Sequence, residues 1–156
     1  MSYAGNTTVS VEKSKGEIEA ILRRYGASQF MAGWSDTISV IGFVIEGRQI
    51  KMTLPLPDPH DREFTCTPTG KKRSNEGAAE RAWEQACRSR WRALLLVVKA
   101  KLEAVEVGIS TVEEEFLAWT VVPGANGETV YDRVGPEILE AISSGRAPVL
   151  RLTGGK

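Results

Sequence analysis

The chain has 156 residues, 42% of them hydrophobic and 26% charged, with 20 basic and 20 acidic side chains. That is the profile of one soluble domain, large enough to bury about 68–70% of its unfolded surface. The longest apolar run, Ala93–Val98, has six residues, against the ~20 needed to cross a bilayer. The start, MSYAGNTTVSVEKS, has no apolar core of the kind an export signal needs.

The first dozen residues read as frayed, and Asn6-Thr7-Thr8 matches a glycosylation sequon that has no role without secretion. Ser14 and Glu17 have capping-box spacing. Ile18, Ile21, Leu22 and Tyr25 follow at helical intervals until Gly26 ends the helix. Three β segments come next: Gln29–Trp34, Thr37–Glu46 and Arg48–Leu56. In the third, Ile50, Met52, Leu54 and Leu56 alternate with polar residues or proline, the period of a half-buried strand. Ser35-Asp36 and Glu46-Gly47 supply tight turns, so an antiparallel meander is expected.

Pro55, Pro57 and Pro59 end the sheet, and Asp58–Ser74 forms a polar loop of 17 residues, long for a connection in a compact domain. Ser74 is placed to cap a long helix, because no Gly or Pro falls between Gly77 and Gly108. On the 3.6-residue wheel Trp83, Cys87, Trp91, Leu94, Val98, Leu102 and Val105 form an apolar stripe. Arg81, Arg88, Arg92 and Lys99 line up in a basic one. Around Leu94–Val98 the helix is apolar on every side and is expected to be buried. After Gly108, Ser110-Thr111 followed by three glutamates opens a short helix. Trp119–Val122 and Glu128–Asp132 read as a hairpin, and Pro136 as the first residue of a last helix with Ile138, Leu139 and Ile142 on its apolar face. The tail from residue 144 reads as loose. The expected architecture is α+β in a single domain, residues 1–156: a small antiparallel meander on one dominant helix, then a short helix, hairpin and helix.

The zero net charge hides a sorted distribution. Residues 1–70 carry −1, residues 71–101 carry +6, and residues 102–156 carry −5. Such local fields attract polyanions more than the overall charge does. Lys71, Lys72 and Arg73 precede a helix N-terminus, whose free N–H groups favour anions. Together with Arg81, Arg88, Arg92 and Lys99 they are the candidate phosphate contacts, each cation displacing a counterion. The same stripe suits pairing with glutamates of another subunit. Trp83 and Trp91, on the apolar face, read as core.

No catalytic constellation stands out. His60 is the only histidine and no G-x-S-x-G accompanies it, which disfavours a serine hydrolase. Thr69-Gly70-Lys71 resembles the end of a P-loop, but Lys72 stands where Ser or Thr should hold magnesium. Asp58, Asp61 and Glu63 are the one set of oxygen ligands to consider for a metal-dependent phosphodiesterase. Cys66 and Cys87 lie 21 residues apart without a C-x-x-C, so free thiols are expected. No cofactor motif is present.

The runs Ala82–Leu94 (AWEQACRSRWRAL), Lys99–Glu106 (KAKLEAVE) and Glu113–Ala118 (EEEFLA), with the hairpin Ile41–Pro57, resemble a family of small bacteriophage- and prophage-encoded proteins over roughly residues 10–147. The resemblance implies an accessory protein in a bacterial cytoplasm and transfers no catalytic residue. In architecture, a β-meander followed by a long basic helix is similar to the phage single-strand annealing proteins of the Erf type, which implies an oligomer that binds DNA beside that helix. The expected function is therefore non-catalytic binding of nucleic acid, single-stranded DNA above all, in phage replication or recombination. The alternative is a protein that inhibits or modifies a host defence factor.

Overall fold

The computed structural model describes residues 4–35 and 37–145 and confirms an α+β architecture. Its elements are α1 (Val11–Arg24), β1 (Gln29–Ser35), β2 (Ile38–Ile45), β3 (Arg48–Pro55), α2 (Arg62–Thr65), α3 (Glu76–Glu106), α4 (Val112–Phe116), a 3₁₀ turn (Leu117–Trp119) and α5 (Val130–Ser143). The three strands form one antiparallel sheet in the order β1-β2-β3. β2 pairs with both neighbours residue for residue, Ile38 opposite Ser35 and Pro55, and Val44 opposite Gln29 and Gln49. Between β2 and β3 the chain reverses through Glu46 and Gly47, at φ 47° and 74°. Two positive φ values are what a two-residue turn matching the strand twist requires.

Alternation decides which face of the sheet is covered. Ser39, Ile41, Phe43 and Ile45 of β2 are buried, as are Ile50 and Met52 of β3. Above them lies α3, which at 31 residues is about 46 Å long. Its Trp91, Leu94, Leu95, Val98 and Leu102 join Ile18 and Leu22 of α1, Val112 and Phe116 in a single core. The all-round apolar segment is thus buried in part: Leu94, Leu95 and Val98 are in the core, whereas Val97 is exposed. Phe116 meets Phe43 edge to face at 5.6 Å, tying the segment after α3 to the sheet.

Helix ends depart from the sequence expectation in consistent ways. α1 begins one turn earlier, with Ser10 as the cap accepting from Lys13 N at 3.1 Å. Val11 gains a place against the core, and Ser14 becomes a buried helix-interior residue whose hydroxyl has no partner. Residues 4–10 do not fray: Ala4 is buried, and Gly5 and Thr7 offer carbonyls to α3. α3 is capped by Asn75 rather than Ser74, its Oδ1 accepting from Gly77 N at 3.0 Å. The Thr111–Glu114 capping box of α4 forms as expected.

The expected hairpin after Trp119 shrinks to a tight turn. Val121 bridges Thr129 and Val122 N donates to Glu128 O at 2.8 Å. Thr129 then caps α5 in a second capping box with Asp132. α5 therefore starts at Val130, and Pro136 lies inside it rather than at its first position. The turn's backbone bonds hold Thr129 where a cap can form, which moves the helix start upstream. The long loop holds α2 and a small closure in which Arg73 N donates to Thr65 O and Thr67 N to Lys71 O, both at 2.8 Å. Asp36 and residues 146–156, where part of the expected β1–β2 turn and most of the loose tail fall, lie outside the described residues.

Candidate nucleic-acid interface

The N-terminal half of α3 is held against two other parts of the chain by its polar side chains. Gln85 Nε2 donates to Thr7 O at 2.8 Å, and Ser89 Oγ to Gly5 O at 3.2 Å. Trp83 Nε1 donates to Pro57 O at 2.8 Å, and Arg90 Nη1 to Pro55 O at 2.9 Å. These bonds fix the helix against the start of the chain and against the proline segment. They also hold open a cleft of about 520 Å³ between α1, the sheet and α3.

Trp91, 1% exposed, forms the floor of this cleft. Trp83, half-buried, and Cys87, buried, form a wall. Trp34, at the end of β1, stands on the rim with 79% of its surface exposed. Lys15 Nζ sits 4.8 Å from the Trp91 ring centre, a cation held over an aromatic face. Arg88, Glu12 and Glu84 complete the charged lining. Burial pushes the Cys87 thiol up from its ordinary value, partly offset by the nearby positive charges of Arg90 and Arg88.

The structure divides the seven candidate cations into two groups. Lys71, Lys72, Arg81 and Lys99 are exposed. The other three are engaged. Arg73 Nε donates to Cys66 O at 3.2 Å. Arg88 Nη2 donates to Gln85 Oε1 at 2.6 Å and lies 3.9 Å from Glu84. Arg92 forms an ion pair with Glu17 of α1 at 2.6 Å, the side chains 28% and 35% exposed. The stripe from Arg81 to Lys99 is real as a helical face, but its middle braces α1 and the cleft wall.

The acidic set is not gathered into a metal centre. Asp58 Oδ1 accepts from His60 N at 2.8 Å, an ordinary turn contact. Among the described residues no group of three or more His, Cys, Asp or Glu side chains is placed to hold a metal ion. Cys66 and Cys87 are both free.

Three cleft residues escaped the sequence reading of the site. Trp83 was expected in the core, yet it lines a wall. Lys15 and Trp34 were not singled out. For Trp34 a signal was present: Phe30, Ala32 and Trp34 share one face of β1, and Trp34 lies beside the turn, where helix cover is least expected.

Among the described residues no helix is long and apolar enough to cross a membrane. Comparison with family models, with curated proteins and with solved structures finds no match to this chain.

Proposed function

We propose that this protein binds single-stranded nucleic acid, DNA above all, without catalysis of its own, as an accessory factor of phage replication or recombination in a bacterial cytoplasm. The observation that supports the reading is the cleft: an exposed indole, Trp34, on the rim of a pocket with two more tryptophans and two cations. Non-specific single-strand binders combine aromatic platforms with a cationic track. Here bases stack on Trp34 and Trp83, Lys15 and Arg88 meet phosphates at the cleft, and Lys71, Lys72, Arg81 and Lys99 extend the track. Glu12 and Glu84 in the same lining temper the field, which favours moderate, salt-sensitive affinity over tight binding.

The test is fluorescence anisotropy with labelled single- and double-stranded DNA across a salt series. Trp34→Ala removes a side chain the core does not use. Stacking is worth about 1–3 kcal/mol per base, so affinity for single strands is expected to fall by roughly 5- to 150-fold. Charge removal at Lys71 and Lys72 is expected to lower the log–log salt slope by about one per contact. Unchanged affinity in Trp34→Ala would exclude the cleft as the binding site. Arg92 is a poor choice for this test, because its loss also removes the Glu17 pair that braces α1.

A second reading, an interaction protein acting on a host factor, draws on α5. Tyr131, Val134, Ile138, Leu139 and Ile142 are all exposed at helical spacing, with the exposed acids Glu137 and Glu140 interspersed. A target helix-binding groove with a basic rim would suit that surface. Under this reading Glu137→Lys and Glu140→Lys abolish capture of the host factor and leave DNA affinity unchanged.

A further inference from the structure

β1 is an edge strand with no visible protection. Exposed edges are usually blunted by charge, proline or a bulge. Gln29–Ser35 contains no charged residue and no proline, and its ladder to β2 runs without a bulge. The opposite edge is treated differently: β3 is partly closed by the Ile50–Thr120 bridge and by Val121 N donating to Gln49 O at 2.8 Å. Among the described residues no backbone bond reaches the outer edge of β1. The strand is also uncovered on its faces. Only Phe30 is half-buried, and Met31 is 68% exposed.

The order of residues in β1 mirrors itself about Ala32. Gln29 and Ser35 are polar, Phe30 and Trp34 aromatic, and Met31 and Gly33 a large and a small residue. A two-fold contact requires a surface that complements itself, each residue meeting the mirror position of its own strand. We infer that β1 pairs antiparallel with β1 of a second copy of this chain, with Ala32 opposite Ala32, so that two meanders form one six-stranded sheet.

In that register each Met31 lies opposite Gly33 of the second copy on the outer face of the sheet. On its other side Met31 already covers Gly42, where an added Cβ would come within 3.0 Å of the Met31 Cγ. The methionine thus fills a trough between two glycines. On the helix-bearing face each Phe30 lies opposite Trp34, an aromatic cross-strand pair. The strand of an unrelated partner would have no reason to reproduce this mirrored order. Trp34 enters both this inference and the nucleic-acid reading, but Met31 and Gly33, the positions varied in the test, lie on the face away from the cleft.

The test is sedimentation equilibrium of the full chain with Met31→Lys, Gly33→Glu and the double variant. A Cβ at Gly33 meets nothing within 4 Å, and Met31 is exposed, so the single chain accommodates both changes. The wild type is expected to dimerise. Each single variant sets like charges beside one another across the two-fold and is expected to weaken association at least tenfold. The double variant places the introduced lysine opposite the introduced glutamate on both sides and is expected to recover it. A wild type that stays monomeric at high concentration overturns the inference. So does a dimer indifferent to all three variants, or one that the double variant fails to restore. Retained DNA binding in the single variants would leave the proposed function standing whichever result is obtained.

Discussion

Cys87 occupies a wall that is apolar, yet it is flanked on its own helix by Arg88 and Arg90. Desolvation outweighs those cations, so the thiol stays protonated at neutral pH and reacts slowly, since the thiolate is the nucleophile. Cys66, half-buried in the loop, has no such wall around it. A thiol reagent is therefore expected to modify the protein in two phases, Cys66 first and Cys87 well after it, with peptide mapping to assign them. Simultaneous modification would mean that the cleft opens far more readily than its packing implies. If bases occupy the cleft, a single-stranded oligonucleotide should slow the second phase and leave the first unchanged. Arg92 shows a different balance at the same scale. Its pair with Glu17 is half-exposed, so it contributes at most about 1 kcal/mol, but it spends a cation that a helical wheel displays as free.

At the scale of elements, two carboxylates hold the C-terminal third together. Asp132 accepts from Thr129 N at 2.9 Å and from Thr129 Oγ1 at 2.8 Å, and these bonds lower its pKa. Glu115 accepts from Ser110 Oγ at 2.6 Å and from Lys101 Nζ at 3.1 Å, and is lowered likewise. A carboxylate whose pKa is depressed on folding adds stability above its unfolded value. That stability drains away as pH falls through the folded value. Urea unfolding is thus expected to show a constant contribution from both groups at neutral pH, declining from roughly pH 4 downward. Asp132→Asn and Glu115→Gln should each flatten that decline; an unaltered acid limb in both would show that these caps do not carry it. The third strand was legible in sequence because burial on one face imposes alternation, and Arg48–Pro55 was placed to within a residue. Helix starts were less legible. Ser10 and Ser14, Ser74 and Asn75, and Thr129 and the residue before Pro136 offer near-equivalent local signals. Tertiary contacts chose among them: Val11 on the core for α1, the 122–128 turn for α5.

At the scale of the whole molecule, the core is one cluster drawn from α1, the sheet, α3 and the segment up to Trp119. Phe116 is its most distant member in sequence, fully buried against Phe43. Phe116→Ala is expected to cost about 3–5 kcal/mol, out of a total of about 5–15. For a chain of this size that lowers the melting temperature by roughly 6–20 °C. Calorimetry should still give one transition; two would mean that α4 and α5 unfold apart from the sheet. The candidate site was only half legible, for a reason of the same scale. Lys71, Lys72, Arg81 and Lys99 follow from local charge and helical period. Trp83, Trp91 and Lys15 meet only because α1 packs on α3, across more than 65 residues of chain, and no local pattern encodes that meeting.

The pairing of α1 with α3 also bears on the order in which the molecule is expected to assemble. The meander closes through reversals of a few residues, Glu46-Gly47 among them, so its contacts form at small loop-closure cost. The Arg92–Glu17 and Gln85–Thr7 contacts span 75 and 78 residues, and such non-local pairings form late in folding. The tryptophan cleft exists only once those distant contacts are made. A nascent chain therefore carries its sheet and its basic helix before it has a cleft. The cleft is correspondingly the first feature to be lost when α1 lifts away.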